Sequence, residues 1–92
     1  MNAKGASAAR ASRIAAALMQ QALSIPGLTE VIGAPRAELR RVKVYVDAYY
    51  DLGCVRISGY ERRRCQPEWF PQYQWQPEPF AVPDASEPPR QL

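Results

Sequence analysis

The sequence predicts an α+β fold in which three helices precede a two-stranded antiparallel hairpin, and three observations lead there. Apolar residues between Ala8 and Leu23 fall on a helical stripe at three- and four-residue spacing. A second stripe of Leu39, Val42, Val46 and Tyr49 or Tyr50 runs up to Asp51-Leu52-Gly53. Beyond that glycine the period changes: Val55 and Ile57 alternate with Arg56 and Ser58, as on a half-buried strand.

Each element has a local reason. Residues 1–6 are small and polar and are expected to be disordered, with Ser7 as the N-cap of the first helix. The stripe of that helix is Ala11, Ile14, Ala15, Leu18, Met19 and Ala22, with Arg10, Arg13, Gln20 and Gln21 mostly elsewhere. In SIPGLTEVIGAP two prolines break the pattern, which leaves Leu28 to Ile32 as a short second helix ended by Gly33. Pro35 suits the first turn of a third helix over 35–52, and Glu38 suits the positive end of its dipole. A strand over 55–60, a loop over 61–72 carrying Arg62-Arg63-Arg64, and a strand over 73–76 complete a domain of residues 7–76. The prolines of residues 77–92 predict an extended, flexible tail.

Composition narrows the function. Ninety-two residues with 47% hydrophobic content make one domain with a modest core. The net charge of +3 hides an asymmetry: residues 1–65 hold eleven Lys or Arg against five acids, whereas residues 66–92 hold one against four. A basic domain favours polyanions, and arginine, ten of the twelve cations, suits phosphate and guanine. The chain has no histidine and no glycine-rich phosphate loop, so no catalysis, cofactor or metal is expected. Cys54 and Cys65 lack metal or redox spacing and read as free thiols. With no apolar run long enough for a signal peptide or a membrane span, a cytoplasmic protein is expected.

The order helix, short helix, turn, helix ending in D-L-G-C-V-R-I, then hairpin resembles the winged helix-turn-helix DNA-binding family over residues 8–76. Tyr50, Leu52, Gly53, Cys54 and Val55 match the family's junction between recognition helix and wing, with Cys54 in place of the usual leucine. The second helix departs from the family, being reduced to Leu28-Thr29-Glu30-Val31-Ile32. The resemblance implies a small transcriptional regulator or accessory factor, of bacterial or mobile-element type, that binds double-stranded DNA. The third helix would enter the major groove through Arg36, Arg40 and Lys43, with Arg41 reaching phosphate and Arg62, Arg63 and Arg64 along the backbone or in the minor groove. A homodimer would lengthen the site read.

A plainer reading of the same cations is a solvated helix face. A second function is also open: an adaptor or inhibitor that docks on a protein partner through the aromatic, proline-rich stretch 66–80, with Trp69, Phe70, Trp75 and Phe80 as anchors. Tyr45, Tyr49, Tyr60 and Trp75 are expected to face the core, and packing of Trp69 and Phe70 on the hairpin competes with stacking on bases.

Overall fold

The computed structural model describes residues 3–88. Helices α1 (Ala3–Gln20) and α2 (Ile25–Val31) are followed by a 3₁₀ turn (Arg36–Glu38), helix α3 (Leu39–Asp51) and an antiparallel hairpin of β1 (Val55–Arg62) and β2 (Trp69–Trp75). The expected α+β order of three helices and a hairpin is therefore present.

Ile14 and Leu18 of α1, Ile25 and Leu28 of α2, Val42 and Val46 of α3 and Val55 of β1 form the buried core. Each such side chain contributes about 1.5–3 kcal/mol by leaving water. Met19, expected on the α1 stripe, is instead 60% exposed. Helix α1 starts at Ala3, so Ser7 lies inside it rather than capping it; residues 1 and 2 lie outside the described residues.

Helix α2 begins three residues before the predicted Leu28. Pro26 does not break it, because a proline in the first turn lacks only an N–H that would have no helical partner. Buried Ser24 is the cap: its Oγ accepts from Gly27 N at 3.2 Å. Pro35, by contrast, stays extended at φ −63°, ψ 150°, and α3 proper starts only at Leu39.

The hairpin is longer than predicted. Its ladder runs from Val55↔Trp75 to Arg62↔Trp69, with an irregularity between Ile57 and Gly59. Pro71 pairs with Tyr60 within it, since one proline on an edge strand removes a single ladder donor. The far edge of β2 is bridged by Leu23, which exchanges backbone hydrogen bonds of 2.9 and 2.8 Å with Tyr73. Tyr49 anchors the other end: its ring meets Trp75 edge-on at 4.9 Å and its hydroxyl donates to Ala11 O at 3.0 Å.

Residues 76–88, after β2, have no regular structure, as their prolines dictate, yet they are tied to the hairpin. Phe80 N donates to Gly53 O, Val82 N to Gln76 Oε1, and Ala85 N to Ile57 O, at 3.0, 2.7 and 2.7 Å. Asp84 closes the strap, accepting from Ile57 N through Oδ1 at 2.8 Å and from the Tyr50 hydroxyl through Oδ2.

That last bond has a measurable signature. The hydrogen bond to the Asp84 carboxylate, followed by partial desolvation, pushes the Tyr50 hydroxyl up to about 12. A raised pKa means the contribution is intact below the ordinary tyrosine pKa near 10 and is lost as pH climbs through about 12. Tyrosinate absorbance should show Tyr50 titrating late in the native chain and near its ordinary value in Asp84→Asn. A normal titration in both would show that the strap does not hold Tyr50.

Candidate functional site

Because Val42 and Val46 are buried, the advance of about 100° per residue sends Arg40, Val44, Ala48 and Asp51 outward. Arg36, Lys43 and Asp47 fall on the flank nearer the hairpin, and Arg41 falls on the opposite one. There Arg41 lies 4.0 Å from Glu38, which also pairs with Arg10 of α1. Arg36, Arg40 and Lys43, expected to share one face, are therefore divided, Arg36 and Lys43 lying beside the hairpin and Arg40 pointing away from it; Arg41 lies on a flank, as expected.

The hairpin leans over the start of α3 and encloses a groove of about 790 Å³. Arg36 and Lys43 line it from the helical side, and Arg62, Arg63 and Arg64 line it from the hairpin. Ile25, Pro26, Leu39, Phe70, Pro71 and Tyr73 supply its apolar lining. Glu30, Glu61 and Glu68 also reach it. Arg40 and Arg41 are not among the lining residues.

These cations are not equivalent. Arg63 is held internally: Nη1 donates to Glu61 Oε2 at 3.1 Å and Nη2 to Glu30 Oε1 at 2.5 Å. The hydrogen bond to Glu30 is the largest influence raising its pKa, followed among the favourable ones by that to Glu61. The Ser24 hydroxyl donates to the same Glu61 oxygen, so a clasp of Ser24, Glu61, Arg63 and Glu30 joins the hairpin to both ends of α2. Arg63, expected to meet DNA, is a fastener of the hairpin instead, because two carboxylates already satisfy its guanidinium.

Lys43 donates to Asp47 Oδ2 at 2.7 Å, and this hydrogen bond raises its pKa. Asp47 therefore acts first as a partner of Lys43, beyond its expected repulsion of phosphate. Arg62 lies over the Trp69 ring at 5.4 Å. Among the described residues, Arg36, Arg40, Arg62 and Arg64 form no ion pair.

The four aromatic anchors do not make one surface. Trp75 packs on Tyr49, Trp69 lies beneath Arg62, Phe70 lines the groove, and Phe80 sits beside Gly53, 72% exposed. Tyr73 is half-buried, and burial is the main cause that raises its pKa. Cys54 and Cys65 are free thiols.

The clasp and the apolar side of the groove were missed from sequence. Serine two residues before a proline is a helix-start signal that would have found Ser24. No local signal announces that Glu61 and Glu30 converge on Arg63. Among the described residues no helix is long and apolar enough to cross a membrane. Comparison with models of known protein families, with curated proteins and with solved structures finds no match to the chain.

Proposed function

We propose that this chain binds DNA as a small winged helix-turn-helix protein, with the β1–β2 hairpin as the wing. The observation that carries this reading is the groove, where Arg36 and Lys43 of the helical segment meet Arg62 and Arg64 of the hairpin across about twenty residues of sequence. Cations brought together from separate elements, with three of these four free of carboxylate partners among the described residues, make a phosphate-binding surface. The Leu23 bridge to β2 supports the same reading, because it places a strand residue between the first two helices and beside the wing.

Arg40 extends the surface onto the outward face of α3, while Asp47 and Asp51 oppose phosphate near its end. The start of α3, rather than its whole length, then approaches the duplex. Fluorescence anisotropy with random duplex at two salt concentrations tests the proposal. Binding that weakens steeply as salt rises supports it, and no binding at low salt overturns it. Regulation of transcription, cytoplasmic location and homodimer formation belong to this proposal as its biological setting.

A second reading rests on a separate observation. Leu52, Phe80 and Val82 are exposed by 64%, 72% and 44% around Gly53, at the opposite end of α3 from the groove. An apolar patch of this kind fits a protein partner, and it moves the proposed partner surface away from residues 66–80, keeping only Phe80 of the expected anchors. Co-purification of a partner with the native chain, lost in Leu52→Ser with Phe80→Ser, would favour it.

A further inference from the structure

We infer that the groove between α3 and the hairpin takes an unpaired nucleotide of a DNA strand, so that the protein favours duplexes with a single-stranded overhang over blunt ones. The inference rests on the DNA-binding reading and specifies the form of DNA.

Paired duplex offers the groove's rim its phosphates but keeps base faces inside the stack. The groove asks for more than phosphate. Phe70 and Tyr73 line it together with Leu39 and Ile25, an apolar and aromatic surface that a hydrated backbone does not complement. An unpaired nucleotide carries both halves of the match: a π face for Phe70 and a phosphate for Arg36 and Arg64. The volume of about 790 Å³ is large enough for a nucleotide and falls within the range of ligand clefts. Gln66 gives an independent observation. It lines the groove, and its side-chain carbonyl oxygen is buried without a hydrogen-bond partner among the described residues. Turned toward the groove, such an acceptor suits an amino or imino group on a base edge. The outward face of α3 offers little competing attraction for paired DNA, since Val44, Ala48 and Asp51 occupy much of it.

The test compares the full chain's binding to a blunt duplex and to the same duplex with a short overhang, by anisotropy at one salt concentration. The overhang should bind about 5-fold or more tightly, the smallest effect expected of one stacked base. Phe70→Leu keeps the groove apolar but removes the π face, and should erase that advantage. If Phe70→Leu melts well below the native chain, Gln66→Leu in the loop serves the same comparison and should reduce the advantage. Equal affinity for both DNAs, or an advantage that survives both substitutions, overturns the inference while leaving the broader proposal standing. Absence of binding to either DNA overturns both.

Discussion

Replacing Arg36, Arg62 and Arg64 together by alanine is expected to lower affinity for random duplex about 100-fold at low salt, at roughly 1 kcal/mol for each lost phosphate contact. The dependence of log affinity on log salt should flatten by up to about 3 units, because each cation that neutralises a phosphate contributes about 0.9 to the slope. These three arginines line the groove without a carboxylate partner among the described residues, so their charge is available to DNA. Arg63 is the internal control. It also lines the groove, but Glu30 and Glu61 already neutralise it, so Arg63→Ala should change the slope far less than Arg64→Ala. Its effect should appear in the hairpin, as faster hydrogen exchange along β1, since the clasp to α2 is gone. Anisotropy across a salt series measures the slopes directly. An Arg63→Ala slope that falls as much as that of Arg64→Ala would show that the clasp opens on binding and that the groove's charges have been misassigned.

Gly53→Ala is expected to destabilise the chain by about 1–2 kcal/mol, chiefly from the backbone, with a smaller steric part because the exposed Phe80 ring can swing aside. The backbone at Gly53 has φ +77°, where a side chain costs about 1–2 kcal/mol. A Cβ there would also lie 2.6 Å from the Phe80 ring. The backbone is poorly able to retreat, because Gly53 O accepts from Gln76 Nε2 at 2.9 Å and from Phe80 N at 3.0 Å. Phe80→Ala should cost little by itself, as its ring is 72% exposed. In the double variant it should recover the steric part and leave the conformational part. Urea unfolding of the four chains in the cycle separates the two. A Gly53→Ala chain within about 0.5 kcal/mol of the native one would mean that the turn and strap relax freely there.

Gly53 also shows how far local pattern carries. The change of period across Asp51-Leu52-Gly53 marks the end of α3 and the start of β1 to within one residue, because both periods belong to residues that are neighbours in sequence. Pro26 shows the opposite. Its effect depends on whether Ser24 caps a helix before it, and taking the proline as a break shortened α2 by three residues. The hairpin was underestimated for a related reason: Trp69 and Phe70 favour strands, but their pairing with Arg62 and Glu61 is a long-range choice.

For the candidate site, residue type was legible but availability was not. Arg62, Arg63 and Arg64 look alike in sequence, yet one lies over an indole ring, one is held by two carboxylates and one is exposed and free of ion pairs among the described residues. Only Arg62 lies on β1, and Arg63 and Arg64 follow it in the loop, so no local period assigns their partners.

Element order and the charge excess of the first 65 residues follow from sequence alone, since they depend on spacing and composition. Which arginines remain free, where the groove lies, and that the proline-rich segment straps β1 at Ile57 were decided by tertiary structure. The physical reason is distance along the chain. Glu30 reaches Arg63 and Asp84 reaches Tyr50 across more than thirty residues, and no short-range period records such pairings.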